Sequence, residues 1–162
     1  MWCPGYTRSE LESVQARFNL TFPPDLAELY LTKRPEKGYD WLRDEEAIRN
    51  RLKWPLEGIL FDVQQGIWWD HWGPQPTTML DRESRVRQLV SEAPRLIPIY
   101  GHRFIPETPN KRGNPVFSVY QSDIVYYGAD LEDYFQREFG SQSGREWPQI
   151  KRIPFWSDFA EA

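Results

Sequence analysis

The sequence predicts an α+β fold: a single domain over residues 1–162 with a mostly antiparallel sheet, a meander, flanked by helices. Three observations carry this. Amphipathic helix patterns fill the first third of the chain. Four short apolar runs separated by turn residues follow between Leu96 and Tyr127. A capped amphipathic segment then runs from Asp130 to Phe139. Helices come first and the meander after, with helices expected on one face of the sheet.

Thr7-Arg8-Ser9-Glu10 matches a capping box, and Leu11, Val14 and Phe18 follow at helical spacing. Pro23-Pro24 opens a second helix with Leu26, Leu29 and Tyr30 as its buried stripe, ended by Pro35 and Gly38. The charged segment Arg43 to Lys53 reads as a short exposed helix that stops before Pro55. Gly58 to Val63 reads as a strand. Ile67 to Trp72 reads as a second strand or a strand-like bend, stopped by Gly73 and Pro74. Met79 to Ala93 is the most regular helix pattern, with Val86, Leu89 and Val90 facing the core. Leu96–Tyr100, Arg103–Pro106, Pro115–Tyr120 and Ile124–Tyr127 are the strands of the meander, and Thr108 to Asn114 is a longer hairpin connection. Asp130 caps the last clear helix. Leu131, Tyr134, Phe135 and Phe139 form its buried face, and Gly140 stands where a left-handed C-terminal residue belongs. Ser141 to Gly144 is loose and polar, and Ile153 to Trp156 returns as a short strand.

A chain of 162 residues buries roughly 70% of its unfolded surface, so no disulfide or metal is needed for folding. The net charge of −4 argues against a phosphate-binding protein and weakly favours a basic partner. Cys3 is the only cysteine, which fits a reducing compartment. The first residues lack an apolar run and no stretch approaches a membrane span, so a cytoplasmic protein with no membrane partner is expected.

Signatures of chemistry are sparse. His71, His102 and Cys3 lack the spacing of a metal site. Gly140-Ser141-Gln142-Ser143-Gly144 is not a nucleophile elbow, because its serines fall at the second and fourth positions. No glycine-rich phosphate loop opens a helix. A hydrolase built from Asp62, Asp70 or Asp123 with a histidine would need the fold to bring them together. Arg49, Arg51 and Lys53 beside Trp54, and Lys111-Arg112, are too short as basic clusters for nucleic-acid binding. No catalytic residue, cofactor or metal is therefore expected.

Two surface features remain. In Ile67-Trp68-Trp69-Asp70-His71-Trp72, a strand would set Trp68, Asp70 and Trp72 on one side and Trp69 on the other, leaving some rings to meet a partner or to join the core. On the last helix, Asp130, Glu132, Asp133 and Glu138 lie near the exposed side with Arg137 as the only opposing charge. They form either a solvated face or an acidic docking face. The candidate partner-binding residues are Trp68, Trp69, Asp70, Trp72, Asp130, Glu132 and Asp133.

The order of several segments is similar to one family. These are Phe22-Pro23-Pro24-Asp25-Leu26 at a helix start, Trp54-Pro55 with Gly58-Ile59-Leu60-Phe61-Asp62-Val63, and Trp68 with Trp72-Gly73. Leu96-Ile97-Pro98-Ile99, Phe117-Ser118-Val119-Tyr120, Ile124-Val125-Tyr126-Tyr127-Gly128 and the helix with Asp130-Leu131 and Tyr134-Phe135 complete the series. Together they resemble the SUKH superfamily, which includes the yeast cell-wall-assembly regulators and many bacterial proteins of the same fold. The resemblance covers about 11–139; the segment 43–53 and the extension 140–162 are less typical. It implies a non-catalytic protein-binding domain. For the bacterial members it implies an immunity protein that binds and neutralises a cognate toxin domain, often a nuclease, in the producing cell. The alternative is a regulatory or scaffold module like the yeast members. The resemblance fixes no binding residues, and the sequence leaves the oligomeric state open.

Overall fold

The structure, a computed structural model, describes residues 2–140 and 145–162, so the expected loose segment at 141–144 lies outside the described residues. Helix α1 (Arg8–Phe18) begins as its capping box dictates. The Glu10 N–H donates to Thr7 Oγ1 at 3.1 Å, and the Thr7 N–H donates to Glu10 Oε1 at 2.8 Å. Asn19, left-handed at φ 52°, ends it. Helix α2 (Pro24–Thr32) starts on its proline and buries Leu26 and Tyr30. A two-stranded antiparallel ribbon then joins β1 (Trp2–Pro4) to β2 (Lys33–Pro35). Each strand is three residues long and carries a proline, so neither announces itself by alternation.

The expected exposed helix over 43–53 and strand over 58–63 are one element, α3 (Glu45–Gln64), with Pro55 inside it. Proline removes one helical hydrogen bond and ordinarily costs about 3 kcal/mol. The offset comes from packing: Ile48, Pro55, Ile59, Leu60 and Val63 are buried along one helical stripe. Glycine 66, at φ 92°, turns the chain after α3. Ile67 to Trp72 is not a strand. Among the described residues no strand pairs with it, and Asp70–Trp72 closes as a single 3-10 turn ended by Gly73 at φ 87°. Helix α4 (Met79–Glu92) follows, capped by Thr78.

Strands β3 (Leu96–Tyr100), β4 (Arg103–Pro106), β5 (Val116–Tyr120) and β6 (Asp123–Gly128) form an antiparallel sheet in sequential order, the expected meander. Helix α5 (Leu131–Phe139) and the unexpected α6 (Trp156–Ala160) pack on β6. The expected terminal strand at Ile153–Trp156 is instead the approach to α6 and its first residue, with Ile153 buried and its N–H donating to Ser157 Oγ at 2.8 Å.

The sheet is covered on both faces, not one. Ile97, Ile99, Ile105 and Val116 join a core with Tyr6, Leu11, Leu26, Trp41, Ile48 and Tyr134. Leu96, Phe104, Phe117, Val119 and Ile124 join a second core with Ile59, Val63, Trp72, Val86, Trp156 and Phe159. The alternation of 96 with 97, 104 with 105 and 116 with 117 between the two cores is the pleat of the sheet. Glu107 ties the layers at one end. Its carboxylate accepts from the Thr21 N–H at 2.7 Å and from Arg95 Nε and Nη2 at 2.8 and 2.9 Å.

Two details of α5 differ from expectation. Phe139 is 38% exposed rather than buried. Gly140 is extended at φ −82° rather than left-handed, and a Cβ there would strike the Gln136 carbonyl. Close approach, not positive φ, requires this glycine.

Candidate functional site

Helix α5 begins at Asp130, whose Oδ1 accepts from the Asp133 N–H at 2.8 Å. Leu131 and Tyr134 face the core, which leaves Phe135 and Phe139, one turn apart, as an outer aromatic ridge. Their rings stack at 5.9 Å, Trp2 packs edge-on against Phe135 at 5.3 Å, and Tyr100 packs against Phe139 at 5.1 Å. Opposite runs the outer side of α2, with Asp25, Glu28 and Leu29. The groove between them has a volume of about 880 Å³. A second cavity of about 410 Å³ shares Trp2 and Phe139 and continues over Pro35, Lys37 and Tyr100.

The floor of this groove is aromatic and its rim is charged. Asp25, Glu28, Asp130 and Glu132 line it together with Lys33 and Arg112. Arg112 pairs with Glu28 and holds that carboxyl below the usual carboxylate range. The Lys33 ammonium sits 4.2 Å from the centre of the Trp2 ring. Asp25 Oδ2 accepts from the Gly113 N–H at 3.1 Å, which fixes the loop wall. Glu132 is exposed. Such a surface suits a cationic side chain with apolar neighbours: rings for the stem and the charge, carboxylates for the head.

Asp130 and Glu132, nominated from sequence, line this groove; Asp133 does not. It is 4% exposed, with Arg137 and Arg145 each 2.7 Å from its carboxylate and the Ala129 N–H donating at 2.8 Å. The expectation that Arg137 alone opposes an exposed acidic face is therefore corrected. Glu138 is also engaged, accepting from Arg103 at 3.1 Å and from the Tyr134 hydroxyl at 3.1 Å. Burial works against ionisation of Asp133. The bonds from Arg137 and Ala129 and the charges of Arg137 and Arg145 outweigh it and hold the carboxyl below its ordinary range. A depressed carboxyl stabilises the fold above its unfolded pKa, near 4, and that contribution is lost as pH falls through the lower folded value. Urea unfolding of the wild type and Asp133→Asn should thus differ most near neutral pH, and the difference should shrink as pH falls below the ordinary carboxylate range. A gap that stays constant with pH would show that the charge is not its source.

The aromatic segment lies elsewhere. Trp72 is fully buried, so it belongs to the core and presents nothing to a partner. Trp68 is half-buried, donates to the Gly73 carbonyl at 2.8 Å and meets Trp72 edge-on at 5.0 Å. Trp69 is half-buried against Phe159 at 4.9 Å, and Asp70 is exposed. None of the four lines the groove.

Among the described residues no hydrogen bond joins His71 or His102 to Asp62, Asp70 or Asp123. Asp62 is taken by Ser122. His102 Nε2 lies 2.8 Å from the Arg103 guanidinium. His71 sits among the rings of Trp69, Trp72, Phe155 and Phe159, where burial lowers its pKa. The described residues hold no group of three or more His, Cys, Asp or Glu placed to bind a metal ion, and none of their helices is long and apolar enough to cross a membrane.

No protein-family model, curated protein or solved structure matches the chain. What the groove can hold follows from its own residues. Trp2, Phe135 and Phe139 come from opposite ends of the sequence, which hides their meeting from a local reading. Nor does α5 itself reveal it, because Leu131, Tyr134, Phe135 and Phe139 follow the i, i+3, i+4, i+8 spacing of a single buried stripe.

Proposed function

We propose that this chain is a SUKH-type, non-catalytic protein-binding domain, and that it acts as an immunity protein that binds and neutralises a cognate toxin. The α2–α5 groove receives a basic, partly apolar segment of that toxin. The observation that carries this reading is an aromatic floor under a carboxylate rim, with one floor ring already holding the Lys33 ammonium. Acidic rims speed encounter with basic surfaces, and truncating a buried aromatic anchor typically costs about 2–4 kcal/mol of affinity. Pro4 and Pro35 interrupt the neighbouring ribbon, so strand addition is disfavoured and the occupant is read as side chains laid into a groove.

The test is co-expression with the toxin-like product of the adjacent gene, followed by size-exclusion chromatography and a growth assay. The wild type should rescue growth and co-elute. Glu132→Lys should weaken the complex by about tenfold, or about 1.4 kcal/mol, while leaving the melting temperature unchanged. Unrelieved killing without a complex would refute the reading. A stable complex with a partner that is not toxic would favour the regulatory module instead.

A further inference from the structure

In an antiparallel meander the β3–β4 and β5–β6 turns fall at the same end of the sheet. There His102 and Tyr120 approach at 6.0 Å between ring centres. Helix α3 brings Trp54 against Tyr120 at 5.7 Å and lays the Arg51 guanidinium over Trp54 at 4.6 Å. The arrangement is rigid. The Trp54 indole N–H donates to the Val119 carbonyl at 2.7 Å, and the Tyr39 hydroxyl donates to the Gly101 carbonyl at 2.5 Å. Arg103 is fixed beneath by Glu138 and Ser118 and rests 3.7 Å over Tyr127.

The surface is rich in hot-spot residue types and positive at its centre. Among the described residues Arg51 forms no ion pair with a carboxylate. Its guanidinium lies over the Trp54 ring and reaches the Tyr39 hydroxyl. His102 feels the same field: burial first, then Arg103 and Arg51, lower its pKa against the weaker pull of Glu138. Asp123, exposed beside Tyr120 in the register, is the acidic group at the rim. Tyr120 is 52% exposed.

We propose that this end of the sheet is a second docking surface, which takes an acidic segment of a protein partner. Arg51 pairs a carboxylate through its planar fork, and Tyr120, Trp54 and Tyr39 supply the aromatic contact. A protein segment fits better than a nucleic acid. Arg51 already covers a face of Trp54, which leaves Tyr120 as the most exposed ring, whereas single-strand binding uses successive free rings. The surface adjoins the smaller cavity through Tyr100 but uses none of the residues of the larger groove.

The experiment is an NMR titration of the full chain with a short peptide of alternating Glu and Tyr, reading the Trp54 indole N–H and the His102 ring. Both should shift and saturate. Arg51→Gln and Tyr120→Ala should each weaken binding about tenfold, Arg51→Lys should recover only part of the loss, and Arg87→Gln, the same loss of charge on the exposed side of α4, should change nothing. No saturation by about 1 mM peptide would overturn the proposal, as would binding that survives Arg51→Gln. Tighter binding of an oligothymidine of equal charge would assign the surface to nucleic acid. Self-association without peptide that Arg51→Gln abolishes would assign it to a second copy of the chain.

Discussion

Gly128→Ala is expected to destabilise the protein by about 3 kcal/mol or more. A Cβ at Gly128 would lie 2.5 Å from the Tyr134 Cβ, 2.6 Å from its Cα and 2.7 Å from its backbone nitrogen. Those atoms belong to a helix and cannot rotate away. Helix α5 would have to lift off β6 and carry the fully buried Tyr134 with it. The control is Gly66→Ala. Gly66 has φ 92° and open space around it, so only left-handed strain of roughly 1 kcal/mol is lost there. Urea unfolding of both variants should separate the two mechanisms. A Gly128→Ala protein as stable as the wild type would mean that α5 does not press on β6 as described.

Asp62→Ala should rank next, at about 3 kcal/mol. Asp62 is 5% exposed on α3, and its Oδ2 accepts from both the N–H and the hydroxyl of Ser122 in the β5–β6 turn. Hydrogen bonds to a charged acceptor are worth about 1.5–3 kcal/mol each, and the alanine variant leaves a buried N–H unpaired. Three α3 residues one turn apart grip the same hairpin. Trp54 donates to Val119, Gly58 lies against Gln121, and Asp62 holds Ser122. Asp62→Asn should lose less than Asp62→Ala, because the amide oxygen still accepts one bond. The double variant with Ser122→Ala should cost less than the sum of the single changes. Strict additivity, measured by chemical denaturation, would show that the two side chains are not coupled.

Where local chemistry decides the structure, the sequence reading and the structure agree. The Thr7–Glu10 box, the Asp130 cap and the four apolar runs of the meander each carry their own instruction. Where distant packing decides, local signals mislead. Pro55 and the apolar run after it look like a break and a strand, yet the spacing of Ile48, Leu52, Ile59 and Val63 continues one helix through both. The ribbon of β1 and β2 depends on a pairing between Trp2 and Pro35 that no short window contains. The five residues of α6 are too few to show a period, and Trp156 is held there by its bond to the Pro94 carbonyl. The groove follows the same rule. Its rim acids Asp130 and Glu132 were legible as helix-start acids, whereas Asp133 was not, because its arginine partners are visible only after folding.

Helix α3 places Ile48 in one core and Ile59, Leu60 and Val63 in the other. A rod clamped at both ends in this way cannot release one end without straining the other. Damage on the Trp72 side of the sheet would therefore reach Trp41 on the far side.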